Sequence, residues 1–131
     1  MSRLPAAAPA IPRAWVVFCG QAELWWLKVL RPGFRHCFVA LNDGLHWVVV
    51  DPLSPCTDVS VLAVPAGYDL PGWFRRLGMT VVPARLRRGI DRPAPWGPFT
   101  CVEAVKRVLG LHALFVVTPW QLYRRLTRPG A

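Results

Sequence analysis

Short apolar runs rich in valine and aromatic residues alternate along this chain with clusters of turn formers. "AWVVFC" at 14–19 is apolar throughout and reads as a buried strand. "FRHCFVAL" at 34–41 and "LHWVVVDP" at 45–52 flank "NDG". Asp-Gly between β-rich runs signals a two-residue hairpin, because both central turn residues need positive φ. "DVSVLAVPA" at 58–66 and "MTVVPARL" at 79–86 predict two further strands. The second belongs at a sheet edge, since Pro83 cannot donate to a ladder. "LHALFVV" at 111–117 is a candidate for a last strand.

Helical patterns fall between these runs. "AELWWLKVL" at 22–30 suits a short helix, followed by an "RPG" turn at 31–33. "DLPGWFRRLG" at 69–78 predicts a short helix stopped by Gly78. "TPWQLYRRL" predicts a terminal helix with Thr118 at the N-cap, Pro119 at N1, and Leu122 and Leu126 one turn apart. "RRGIDRPAPWGP" at 87–98 reads as a loop. The expected architecture is α+β: an antiparallel sheet packed against helices, forming one domain over 14–131 behind a disordered leader at 1–13.

Composition narrows the picture. The chain has 131 residues, 53% of them hydrophobic, which is enough for one real core. Its net charge is +9, and fourteen of its sixteen basic residues are arginine. The arginines are scattered in pairs such as Arg75-Arg76 and Arg124-Arg125, so a solvated face is expected and no specific nucleic acid. Contact with an anionic membrane is a lesser alternative. No apolar stretch reaches the ~18 residues of a spanning helix, and the leader is broken by three prolines, unlike a signal peptide. A cytoplasmic or virion-associated setting is the expectation. Cys19, Cys37, Cys56 and Cys101 form no CxxC pair, which argues against a zinc ribbon or a thioredoxin motif.

The candidate chemistry begins at "TCVE". Thr100 and Glu103 match an S/T-x-x-E capping box, and Gly110 closes the helix. Cys101 is then at N1, sharing an inward face with Val105 and Val108, while Glu103 and Arg107 pair on the other side. The positive end of a helix stabilises a thiolate. The alternative is a small residue filling a gap between helix and sheet. Glu103 is expected to cap.

A thiol nucleophile needs an oriented histidine. With Asp43-Gly44 as a two-residue turn, His36 faces Asp51 across the hairpin and on one face of it. The carboxylate would hold one ring nitrogen and leave the other for a thiol. The alternative is a surface ion pair. Cys37 and His46 fall on the opposite face, and His112 reads as a helix C-cap or surface residue. Adjacent strand residues point apart, so His36 and Cys37 are poor joint metal ligands, and neither a metal nor another cofactor is called for. Trp47, Trp73 and Trp96 could wall a cleft or pack in a core.

"RHCFVALNDGLHWVVVDP" (35–52) and "FTCVEAVKRVLGL" (99–111) resemble the circularly permuted branch of the NlpC-type, papain-like thiol hydrolases, which includes the lecithin:retinol acyltransferase relatives. In that branch the histidine precedes the cysteine, as His36 precedes Cys101 here. The resemblance spans about 14–127, and "TPWQLYRRL" looks like segments that follow the cysteine helix in small bacterial and phage members. Where the acyltransferase relatives often carry Asn-Cys-Glu, this chain has Thr100-Cys101-Val102. The resemblance implies Cys101 as nucleophile, His36 as general base and Asp51 as orienter, with the Cys101 N–H a natural oxyanion donor. It implies a cysteine peptidase or amidase working through a thioester on a peptide or amide substrate, with cell-wall peptide (peptidoglycan) leading. The alternatives are a membrane-associated acyltransferase, or an inactive structural or binding component with an assembly partner, as in a phage particle.

Overall fold

A computed structural model of the chain describes residues 13–20, 34, 36–52, 56–86, 100–113 and 115–129. The elements over the described residues are β1 (Arg13–Cys19), β2 (His36–Asn42), β3 (Trp47–Pro52), β4 (Thr57–Val61), α1 (Leu70–Arg76), β5 (Thr80–Ala84), α2 (Cys101–Leu109) and α3 (Pro119–Leu126). The strands form one five-stranded sheet in the order β4-β3-β2-β1-β5, and every pairing is antiparallel. The class is α+β. The helix expected at 22–30, the turn at 31–33, the loop at 87–98, and nearly all of the leader lie outside the described residues.

The middle of the sheet is buried on both faces, while the edge strand β4 is largely exposed, and the pleat divides the apolar residues between the two faces. On one face Val16, Phe18, Cys37, Val39 and Val82 pack with Val102, Val105 and Leu109 of α2 and Leu122 of α3. On the other, Val17, Phe38, Ala40, Trp47 and Val81 pack with Leu70 and Phe74 of α1. A strand covered on two sides needs apolar residues at every position, which accounts for the unbroken run in β1. β5 lies at the edge, with Pro83 exposed opposite Trp15.

The hairpin departs from the two-residue turn. Asn42 pairs with Trp47, so Asp43 to His46 form a four-residue loop. Asp43 Oδ1 accepts from the backbone N–H groups of Leu45 and His46, and Gly44 takes φ 92°. Those bonds to the aspartate side chain hold the longer loop. His46 is therefore an exposed loop residue, with Nδ1 3.5 Å from Asp43 Oδ2, not a residue of the sheet face.

Three other elements differ from expectation. β1 starts at Arg13, one residue inside the supposed leader. β4 ends at Val61, beyond which 62–66 are turn and coil. The described part of 111–117 is coil as well: its backbone is held by Lys106 Nζ, which donates to Val116 O at 3.0 Å, and by Gln121 Oε1, which accepts from Val117 N. With those groups satisfied by side chains, no ladder is needed. α1 forms as expected, capped by Asp69 and followed by Gly78 at φ 89°. α3 carries a complete capping box from Thr118 and Gln121. Among the described residues no helix is long and apolar enough to cross a membrane.

Candidate active site

α2 starts where the sequence places it. Thr100 is extended and its hydroxyl accepts from Glu103 N at 3.3 Å, while Gly110 closes the helix in the left-handed region at φ 70°. Glu103 makes the expected pair with Arg107, and its carboxylate also holds Lys106 where a capping role was expected. Its carboxylate pairs with Lys106 Nζ at 3.0 Å and Arg107 Nε at 3.3 Å. Burial pushes its pKa up, and these two cations outweigh that and hold it low. The glutamate therefore neutralises the nearly buried Lys106, whose ammonium reaches back to the coil before α3.

Cys101 is the first residue of α2, half-buried against the sheet. Beneath it, on the same face, lies fully buried Cys37, whose thiol donates to the Cys101 sulfur at 3.8 Å. His36 is the first residue of β2 and Asp51 is in β3, and His36 Nε2 lies 2.7 Å from Asp51 Oδ1. The pleat puts His36 with Phe38, whose ring is 6.3 Å away, and so on the α1 face. The thiol on the α2 face still influences the imidazole, because His36 stands at the end of its strand and Cys101 at the tip of α2. There a helix N-terminus can address both sides of the chain. His36 and Cys101 lie close enough to shift each other's ionisation. With Nε2 engaged by Asp51, Nδ1 is the nitrogen left to the sulfur.

The electrostatics follow from these neighbours. For Cys101 the largest influence is the hydrogen bond from Cys37; burial opposes it, and the hydrogen bond and charge of His36, together with the Cys37 backbone N–H, bring the thiol down to about 5. The helix N-terminus acts in the same direction. For His36, burial alone would lower the pKa. Hydrogen bonds to Asp51 and Cys101, and the charges of both, raise it to about 9. Near neutrality the pair is thus thiolate and imidazolium. Asp58 stands directly opposite Asp51 on β4. Two facing carboxylates repel, and the imidazolium beside Asp51 offsets that. Cys37, fully buried and next to a thiolate, is held well above the ordinary thiol range, with burial the main cause.

The structure brings together all three residues singled out from the sequence: Cys101, His36 and Asp51. It adds Cys37, which the sequence places on the sheet face opposite His36 and so outside the expected site. The signal was available, because the inward face of α2 and the odd positions of β2 must pack on each other. His112 is half-buried in the coil after α2. Trp47 is core, its Nε1 donating to Tyr68 O, whereas Trp73 is partly exposed, and Trp96 lies outside the described residues. An open groove of about 630 Å³ runs along the α1 face beside Asp51, walled by Phe38, Val49, Leu62, Tyr68 and Trp73. Among the described residues no group of three or more His, Cys, Asp or Glu side chains is disposed to hold a metal ion.

Compared with known proteins, the chain matches no family model, no curated protein and no solved structure.

Proposed function

We propose that the protein is a cysteine-dependent hydrolase, a peptidase or amidase, acting through a thioester on Cys101 with His36 and Asp51. The observation that carries this reading is the cluster at the tip of α2: His36 is held by Asp51 at 2.7 Å, the Cys101 sulfur faces Cys37 at 3.8 Å, and the half-buried thiol and imidazole shift each other, the thiol down to about 5 and the imidazole up to about 9. A cysteine that only fills space has no need of a charged partner, and a surface ion pair would not involve sulfur. The chain order, histidine before cysteine, and α2 resting on β2 and β3 with the cysteine at its tip support a permuted papain-like arrangement.

The chemistry then runs as follows. The Cys101 thiolate attacks the substrate carbonyl carbon, and the oxyanion faces the Cys101 N–H, one of the first-turn donors with no acceptor inside the helix. As the intermediate collapses, the C–N bond breaks and the His36 imidazolium gives its proton to the departing amine. Neutral His36 next takes a proton from water, whose oxygen attacks the thioester, and the thiolate leaves. Asp51 holds the ring and stabilises its charged form. The substrate class is a peptide or amide, and the resemblance to bacterial thiol hydrolases puts cell-wall stem peptides first.

The test is direct. The protein is incubated with soluble cell-wall stem peptides and with activated acyl esters, and intact mass is followed. The expected result is an acyl adduct on Cys101 that hydroxylamine removes and that Cys101→Ala abolishes, with turnover of at least one amide. Absence of any adduct or turnover across the panel rejects the hydrolase and leaves a binding or structural component.

A further inference from the structure

Hydrolysis through a thioester uses one sulfur, yet two face each other here. Cys37 is fully buried in β2, and its thiol points at the Cys101 sulfur 3.8 Å away. None of the four cysteines is in a disulfide. A disulfide would need the two sulfurs roughly 1.8 Å closer, and Cys101, half-exposed at the tip of α2, is the partner with room to turn.

We infer that Cys37 and Cys101 form a redox couple, in which a hydroperoxide oxidises Cys101 and Cys37 then closes a reversible disulfide. The Cys101 thiolate attacks the distal oxygen of the hydroperoxide, the O–O bond breaks, and the departing alkoxide or hydroxide takes the proton carried by His36. Cys101 is left as a sulfenic acid, oxidised by two electrons, and the peroxide is reduced by the same two. The Cys37 sulfur then attacks the Cys101 sulfur, the S–O bond breaks, and water leaves with the Cys37 proton. A dithiol reductant reverses the closure by exchange.

The surroundings favour each step. The first needs an accessible thiolate, and Cys101 has that character near neutrality. The second needs a reactive Cys37. Burial is the main influence that holds its proton; the negative charge on Cys101 adds to it and is lost when that sulfur becomes a neutral sulfenic acid. Oxidation of the outer sulfur therefore prepares the inner one. Closure would protect Cys101 from irreversible oxidation and silence the nucleophile until it is reduced. The couple rests on the two thiols and stands whether or not the chain hydrolyses amides.

Peptide mapping tests it. Trypsin leaves Cys37 on the fragment 36–75 together with Cys56, and Cys101 on 89–106, so the protein is prepared as Cys56→Ser. After one equivalent of hydrogen peroxide, the expected product is a monomer about 2 Da lighter in which 36–75 is joined to 89–106, restored by dithiothreitol. Cys37→Ser and Cys37→Ala, given two equivalents because the sulfinic acid consumes two, are expected to lose the cross-link and to accumulate Cys101 about 32 Da heavier, as the sulfinic acid. Sulfinic acid at Cys101 without a cross-link in the protein that retains Cys37 overturns the couple, as does a bridge between two chains or one from Cys19. Those results are read in the Cys56→Ser protein and do not depend on how the Cys37 variants fold. Hydrolysis without the cross-link sinks this inference alone, and the cross-link without hydrolysis sinks only the proposed activity.

Discussion

His36 Nε2 and Asp51 Oδ1 are 2.7 Å apart although their residues do not face each other across the ladder. The β2–β3 pairs end at Val39 with Val50; carried on in the same register they would set Phe38 opposite Asp51 and His36 one pleat further along the same face. A diagonal contact of this kind is within reach of a long side chain. It sets the imidazole at the open end of β2, where the thiol can use its other nitrogen.

Replacing Asp51 with asparagine keeps the shape and removes the charge that favours the imidazolium. His36 is expected to titrate below about 9, and hydrolysis to fall by about 10²- to 10⁴-fold with the fold intact. Ring-proton NMR titration of the variant against the parent reads the first, and kcat the second. An unchanged His36 titration would mean that Asp51 has no orienting role.

The pH dependence of hydrolysis has two limbs. Below about 5 the Cys101 thiolate gains a proton and loses its nucleophilicity; above about 9 the imidazolium loses the proton owed to the leaving amine. The expected kcat/KM profile is a bell between those values, and both limbs belong to the coupled pair, not to one residue. A profile rising through the ordinary thiol pKa near 9 would mean that the pair does not form.

How much of this was legible in the sequence depends on the distance over which each signal acts. Capping is local, so Thr100, Gly110, Thr118 and Pro119 could be read directly as helix ends. The hairpin was legible in existence but not in register. Asp-Gly pointed to a two-residue turn, and the side chain of Asp43 instead built a four-residue loop. The shift was two residues, and because side chains alternate with period two, His36 and Asp51 stayed on one face; a shift of one would have parted them. The segment 111–117 misled because its apolar pattern suits a strand, while the groups that satisfy its backbone, Lys106 and Gln121, come from elsewhere in the chain. The Cys37–Cys101 contact spans 64 positions and needed the packing of α2 on the sheet to be known.

Thr100 anchors the helix tip that carries the thiol. Thr100→Ala removes the acceptor for Glu103 N and is expected to cost about 1 kcal/mol of stability. It should also raise the Cys101 pKa, since a frayed first turn presents fewer aligned donors. Urea denaturation and thiolate absorbance against pH check the two effects. Lost stability with an unchanged thiol would restrict the cap to a structural role.

Gly78 follows α1 at φ +89°, a conformation that disfavours a side chain, although nothing lies within 4 Å of where a Cβ would be. Gly78→Ala is expected to destabilise by about 1–2 kcal/mol through backbone strain alone. Gly67→Ala, in equally open space without that φ, is the control and should be neutral within about 0.5 kcal/mol. Equal denaturation midpoints for the two variants would contradict the left-handed turn at Gly78.

The thiolate–imidazolium pair underlies everything proposed for this chain, and alkylation kinetics read it without any substrate. The rate of iodoacetamide modification at Cys101, resolved from Cys19, Cys37 and Cys56 by peptide mapping, is followed from pH 4 to pH 10. The expected rate rises through about 5 and is already near its plateau at neutral pH, and in His36→Ala the rise moves up toward the ordinary thiol value of 9. A Cys101 that reacts only as pH approaches 9, with or without His36, would contradict the pair and the enzyme built on it.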